Sequence, residues 1–424
     1  FPALAKAGIK NVINGPFTFS PDGNPLVGPV QGLKNYWVAC AVMAGFSQGG
    51  GVGLALSQWM VNGDPGFDVW AMDVARFGEW ATRSYTNERA RETCARRFSI
   101  KFPNEELPAA RPQQTTALYD TMIAQGAVMG DSWGLETPLW FAPKGVEPKD
   151  IFSFHRSNDF PHVKAECLGV RNAVGVTEIA NFAKYEFSGP GAEGFLSHLM
   201  TNKMPRQGRL VLTPMLNPQG KLIGDFTIAK TGPEKFLMWG SSQAQKYHMR
   251  WFEKYLPTDG SVKIDRLDMR MVGKKKTKPH THKLQHRLTD EDVSNAAFKF
   301  MDHKVMDIAN VRAAINRVTY TGDLGYEIWV APEYQRRLFQ EIHRVGLDLG
   351  LVNFGMRALL CLRLEKNFPT WFRELRPIYG GFEGGMERFI ALDKNDFVGR
   401  DAAVKEKAEG GKLDHVEVAM DESP

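Results

Sequence analysis

Residues 316–330 read NRVTYTGDLGYEIWV, and the fold of the chain turns on how that stretch is read. Arg317, Val318, Thr319 and Tyr320 lead in as a short strand. Gly322-Asp323-Leu324-Gly325 supplies a turn, and Tyr326 to Val330 alternates apolar and polar as a second strand. Period-two geometry puts Tyr326, Ile328 and Val330 on one face and Glu327 on the other. Taken alone, Glu327 is either a solvent-facing side chain of an ordinary hairpin or a carboxylate held for a ligand.

A second acid sharpens the choice. In RLVLTPMLNPQGKLIGDFTIAK (209–230) two strands flank the turn Asn217-Pro218-Gln219-Gly220. On the second strand Ile223, Asp225, Thr227 and Ala229 share one side. Asp225 then points from a buried wall, and a buried Asp needs a partner, whether protein or ligand. Upstream, a strand at 184–188 precedes an amphipathic helix carrying Phe195, Leu196, Leu199 and Met200 on one face. Between them Gly189-Pro190-Gly191-Ala192-Glu193-Gly194 spells a literal G-x-G-x-x-G. Pro190 removes an N–H from any phosphate cradle and no acid follows at the ribose offset, so it is read as a tight strand-to-helix turn.

At 424 residues, with 43% apolar residues and 10 Trp, the chain is globular and larger than one ordinary core. Its net charge of +5 suits an anionic ligand and does not by itself imply nucleic acid. Cys40, Cys94, Cys167 and Cys361 lack C-x-x-C spacing, which argues against zinc or a disulfide framework and makes them candidate core residues in a reducing compartment. There is no run long and apolar enough to span a membrane and no signal-peptide order, so no membrane is expected. The opening Phe1 inside what reads as an element suggests a fragment.

Near the start, Asn35 to Cys40 reads as a buried strand and Gly45 to Gly53 as a Gly-rich turn opening a helix at Leu54 to Val61. That is a place where backbone N–H groups meet an electron-rich group, or else simple close strand–helix packing. PDGNPLVGPVQGLKNYWVA followed by GGGVG resembles the end of the flavin domain of D-amino-acid-oxidase-like amine oxidases, specifically the dimethylglycine and sarcosine dehydrogenases. FGEWATRSYTNERARE and FPNEELPAARPQQTTALYDTM resemble their connecting region, and GLETPLWFAP the lead into their folate domain. By that likeness Ala41, Val42, Met43, Ala44, Gly45 and Phe46 lie beside FAD.

NPQGKLIGDFTI, RVTYTGDLGYEIWV, NFGMRALLCLRLEK and DFVGRDA resemble, in order and spacing, the aminomethyltransferase fold of the same enzymes. The implied class is α+β, a three-subdomain folate-binding fold with a central channel, preceded by the C-terminal end of the FAD domain. The implied divisions are 1–63 (end of the FAD domain), 64–137 (connecting region), 138–400 (folate domain) and 401–424 (start of a truncated barrel). The resemblance makes Asp225 the catalytic carboxylate near N5 of tetrahydrofolate, with Tyr320, Glu327, Arg357 and Thr227 as folate-contacting residues and no metal. The chemistry agrees. A carboxylate accepts paired N–H groups of a pterin, a tyrosine offers a π-face and a hydroxyl, and an arginine pairs with a carboxylate tail.

The function implied is oxidation of dimethylglycine, sarcosine or a related methylated amine by FAD. The one-carbon unit passes to tetrahydrofolate, and an electron-transfer flavoprotein is a possible acceptor. Cytoplasm, or the mitochondrial matrix in a eukaryote, is the expected place. Rivals are a standalone glycine-cleavage aminomethyltransferase and a non-catalytic folate-binding protein. A basic RNA-binding module at 274–287 is a third. That last stretch, within MRMVGKKKTKPHTHKLQHR (269–287), breaks the resemblance. Lys274, Lys275, Lys276, Lys278 and Lys283 stand where an apolar strand is expected, which suggests a frame slip or insertion and a damaged strand. His280, His282 and His286 form H-x-H-x3-H, which the lysines and Pro279 argue against as a metal site. Trp371 and Phe372 are candidate channel-lining aromatics, and Arg363 with Glu365 a candidate ion pair.

Overall fold

The computed structural model describes residues 2–241, 244–277, 281–411 and 413. It divides into two compact units, residues 1–74 with 82–99, and residues 75–81 with 100–424.

In the first unit strands β1 (Leu26–Pro29) and β2 (Trp37–Cys40) form an antiparallel hairpin, followed by helices α1 (Gly45–Asn62) and α2 (Arg83–Ala95). Ala55, Trp59 and Val69 form its core, with Trp37 edge-on to Trp59 at 6.1 Å. Two expectations are corrected here. The β2 strand is not buried: Trp37 and Val38 are half-buried, and Ala39 and Cys40 are exposed. The glycine-rich run is not a turn, because α1 already starts at Gly45 and carries Gly49, Gly50, Gly51 and Gly53 within it.

The second unit runs α3 (Tyr119–Ala124), β3 (Ala127–Ser132), β4 (Leu135–Phe141), α4 (Phe160–Asn172), β5 (Val174–Glu178) and β6 (Ala183–Ser188). Then come α5 (Ala192–Leu199), β7 (Leu210–Leu216), β8 (Leu222–Gly232), β9 (Lys235–Gly240), α6 (Gln245–Tyr255), β10 (Lys263–Arg266) and β11 (Val272–Thr277). The chain continues through α7 (Thr281–His286), β12 (His303–Ile308), β13 (Val311–Asn316), β14 (Gly325–Val330), α8 (Gln335–Gly346), β15 (Leu351–Asn353), α9 (Met356–Leu364) and α10 (Arg400–Glu409). One sheet has five strands in the order β10-β6-β9-β8-β7, and the other has six in the order β12-β13-β14-β11-β5-β15.

The two sheets meet face to face through Ala229, Leu237 and Trp239 of one and Trp329 of the other, with the two indoles 5.7 Å apart. The opposite face of the six-stranded sheet, bearing Tyr326, Ile328 and Val330, packs with Leu338 and Ile342 of α8 in one hydrophobic core. The alternation expected for 326–330 is therefore observed. The hairpin is longer than its sequence suggests: β13 ends at Asn316, paired with Glu327, so residues 317–324 form a loop rather than a lead-in strand.

The glycine motif at 189–194 is a strand-to-helix turn. Gly189 sits at φ 111°, and a Cβ there would come within 2.3 Å of the Ser261 carbonyl. Helix α5 buries Phe195, Leu196 and Leu199 as its periodicity implies.

The basic stretch is no damaged strand. Residues 272–277 form β11, paired along its length with β14 on one side and over 274–277 with β5 on the other. Lys274 is 2% exposed, directly opposite the buried Glu178 of β5 and with its ammonium 4.6 Å from the Phe339 ring. Gln335 donates to Glu178. A buried lysine facing a buried glutamate across the sheet thus stands where apolar residues were expected. Lys278, Pro279 and His280 lie outside the described residues, while His282 and His286 sit on α7 with rings 5.4 Å apart. Among the described residues no group of His, Cys, Asp or Glu is placed to hold a metal ion, and no helix is long and apolar enough to cross a membrane.

Two further corrections concern side chains. The cysteines are not core residues: Cys40 and Cys361 are exposed, and Cys94 and Cys167 half-buried. Arg363 pairs with Glu374 at 2.7 Å and Glu365 with Arg171, so Arg363 and Glu365 are not partners. Finally, Glu166 of α4 accepts from the Phe141 N–H at 2.7 Å and the Gly355 N–H at 2.9 Å, tying β4 to the start of α9.

Candidate functional site

Asp225 and Thr227 lie on β8, on the side that faces the other sheet. Thr227 is directly opposite Trp239, whose ring meets Trp329. Ala229, two residues on, belongs to the same cluster. On the facing sheet Glu327 shares its side of β14 with Trp329 and is 8% exposed. The pleat therefore brings Asp225, Thr227 and Glu327 to the two inner walls of one interlayer space. Glu327 is not a solvent-facing hairpin residue.

Tyr320 joins them from the 317–324 loop. Its hydroxyl donates to the Pro369 carbonyl at 3.4 Å, and its ring stacks on Phe368 at 6.4 Å. Burial pushes that hydroxyl up to about 12, and the nearby Asp225 carboxyl adds to the rise. Burial likewise pushes the Asp225 carboxyl up to about 6, opposed only by its own backbone N–H. Among the described residues no side chain is hydrogen-bonded or ion-paired to Asp225. The buried indole N–H groups of Trp239, Trp329 and Trp371 also lack acceptors. The interlayer space thus holds a half-buried acid and several unmet donors.

Arg357 is engaged elsewhere. Its guanidinium holds both oxygens of Asp150, at 2.7 and 2.9 Å, and Asp159 at 2.9 Å. Its charge is already offset, and a carboxylate tail would compete with two aspartates. The sequence reading missed the open cleft of about 560 Å³ beside Phe368 and Pro369, whose rim carries Lys366 and Arg388. Lys366 falls inside the quoted LRLEK motif, but its place on a cleft rim needed the loop geometry. Of the two expected aromatics, Trp371 is 2% exposed and packs on His248 at 5.9 Å and on Phe372 at 4.9 Å.

The six residues expected beside a flavin belong to the first unit. Ala41 is buried at φ 55°, Val42 and Met43 are half-buried, and Ala44, Gly45 and Phe46 are exposed at the start of α1. No side chain caps that helix, and a Cβ at Gly45, Gly49, Gly50, Gly51 or Gly53 would meet nothing within 4 Å. The face is open to close approach, and no side chain caps its first N–H groups.

The family model described as the GCVT N-terminal domain matches residues 118–394. The chain belongs to this family. Ahead of the GCVT match, the model described as the FAD dependent oxidoreductase central domain matches residues 62–116. The GCVT chain is 36% identical over 97% of its length to dimethylglycine dehydrogenase, mitochondrial, of Mus musculus, covering 48% of that protein. It is 28% identical to sarcosine dehydrogenase, mitochondrial, of Homo sapiens, with 96% of this chain and 49% of that protein covered. It thus spans about half the length of these relatives, and the likeness to dimethylglycine and sarcosine dehydrogenases is borne out. Among solved structures, the glycine cleavage system aminomethyltransferase T from Bartonella henselae shares the fold. Its TM-score is 0.59 at 19% identity, over 70% of this chain and 76% of that one. The aminomethyltransferase fold class is thereby established for this GCVT chain.

Proposed function

We propose that the chain is the folate-handling part of a flavin-dependent N-methyl amine dehydrogenase and receives the one-carbon unit from dimethylglycine or sarcosine onto tetrahydrofolate. The observation that carries this reading is the Asp225 carboxyl, half-buried on an inner sheet face with no cation or donor side chain to balance it among the described residues. Glu327 on the opposite wall would accept the paired N–H groups of a pterin, and Tyr320 and Thr227 would border the ring. Asp225, carried at about 6, would hold or release a proton at the pterin nitrogen that receives the carbon. Lys366 and Arg388 on the adjoining rim would supply positive charge toward the anionic tail, and Arg357 would reach that tail only by giving up one of its aspartates. When bound, tetrahydrofolate supplies the nucleophilic nitrogen.

The same proposal takes residues 138–400 as the folate domain and residues 41–46 as the edge of an FAD site. Oxidation of the amine, and an electron-transfer flavoprotein as acceptor, belong to the intact enzyme. The test is calorimetric titration of the chain with tetrahydrofolate, beside the Asp225→Asn and Glu327→Gln variants. Glu327→Gln is expected to weaken binding by about tenfold or more, a loss of roughly 1.4 kcal/mol. In an enzyme joined to its flavin part, Asp225→Asn is expected to release formaldehyde in place of methylenetetrahydrofolate. A chain that binds no tetrahydrofolate, or an Asp225→Asn enzyme that still forms methylenetetrahydrofolate at the original rate, overturns the reading.

A further inference from the structure

A separate cavity of about 130 Å³ lies in the second unit, where residues 75–81, the β3–β4 turn, the β5–β6 connection and the end of β10 come together. It shares no lining residue with the cleft beside Phe368 and Pro369. At its base is Lys184 of β6, 1% exposed, whose ammonium donates to the Ala180 carbonyl at 2.7 Å. An ammonium has three donors, and among the described residues only that one acceptor meets it. Burial pulls Lys184 down to about 7, while Asp268 and Glu178 pull it back up.

Acceptors without donors line the same space. Asp268, held at φ 39°, turns Oδ2 to Arg266 Nε at 3.7 Å and leaves Oδ1 buried with no partner. Asn181 donates to Ser132 Oγ at 3.2 Å and leaves its own Oδ1 buried and unmet. Arg266 and Lys246 both lie 3.2 Å from Glu79, so two cations share that one carboxylate. The wall is rigid. Trp80 is pinned between Gly78 and Gly134, where an added Cβ would stand 2.6 and 2.5 Å from its ring.

Unmet donors thus stand with unmet acceptors in one small space. A simple anion would leave Asp268 and Asn181 unanswered, and a simple cation would leave Lys184. We propose that this cavity binds a small zwitterionic amino acid, its carboxylate on Lys184 and Arg266 and its ammonium on Asp268 and Asn181. Glycine and its N-methyl derivatives suit the size, and the Trp80 wall suits N-methyl groups. The inference needs nothing from the tetrahydrofolate reading.

The test is calorimetric titration of the chain with glycine, N-methylglycine and N,N-dimethylglycine, with acetate and methylammonium as single-charge probes. At least one of the amino acids is expected to bind, with both probes weaker by about tenfold or more. Lys184→Met is expected to abolish binding. Should that variant fail to fold, Asp268→Asn and Asn181→Leu at the edge are expected to lower amino-acid affinity by about tenfold without changing that for acetate. Acetate binding as tightly as the amino acids overturns the proposal. So does the absence of any heat, which would leave a pocket filled with water, or affinity unmoved by all three variants. Tetrahydrofolate titrated into the same samples reports on the other site: Asp225→Asn is expected to leave amino-acid binding intact.

Discussion

Two acids in the second unit, Glu178 buried and Asp225 half-buried, have opposite surroundings. Glu178 of β5 is answered from within the protein: Lys274 stands directly across the sheet, and Gln335 donates to it. Asp225 of β8 has no such answer among the described residues, and the indole N–H groups of Trp239 and Trp329 between the two sheets also lack partners. Burial raises both carboxyls. Glu178 keeps one oxygen unmet, yet only Asp225 has neither a facing cation nor a donor side chain among the described residues, and an uncompensated acid held on a strand is what a ligand site leaves behind. The contrast separates an ionic pair that completes a sheet from an acid kept for chemistry.

The contrast breaks most visibly at Lys274. Lys274→Met strands Glu178 without a counter-charge and is expected to cost about 3–5 kcal/mol in urea unfolding. Adding Glu178→Met should recover most of that loss, since a well-packed apolar pair can match a buried ionic one. If the single variant is as stable as the parent, the pair is not what holds Glu178.

Asp225 should behave in the opposite sense. Its folded carboxyl, at about 6, lies above the ordinary value of 3.8, so the folded state holds the proton more tightly. That contribution favours folding fully below the ordinary value and is lost as pH rises from about 4 through 6. Asp225→Asn removes the burden and is expected to stabilise the chain by about 1–3 kcal/mol at pH 7, fading to nothing below about pH 4. Urea midpoints across that range measure it. A destabilised Asp225→Asn chain would reveal an internal partner and collapse the comparison.

The smallest effect is expected at Tyr320→Phe, which loses one long hydrogen bond to the Pro369 carbonyl. The stability change should stay below about 1 kcal/mol. Tetrahydrofolate affinity, measured by the same titration, is expected to fall only a few-fold, because the ring remains.

Much of this was legible in the residues. The alternation of Ile223, Asp225, Thr227 and Ala229, and of Tyr326 to Val330, correctly assigns sheet faces because strand geometry is local. Pairing is not local. Arg317 to Tyr320 look like strand, yet they form a loop, anchored where Arg317 bonds the Phe298 carbonyl and Asn295. Gly49 to Gly53 look like a turn, yet they continue a helix. The lysine run read as damage because an apolar strand is the usual occupant. The acid that accommodates Lys274 lies 96 positions earlier, and no pattern in 269–287 points to it. Arg357 was legible as a motif, but its aspartates at 150 and 159 were not.

Glu166 has a practical corollary. Its two oxygens clasp backbone on both sides of a gap of 189 residues, since Phe141 is near it in sequence and Gly355 is not. Strand β15, which pairs alongside β5, spans the same gap. Anyone trimming this molecule to a minimal folate binder must therefore keep everything through α9: a shortened version stopping before Gly355 would leave helix α4 clutching at nothing.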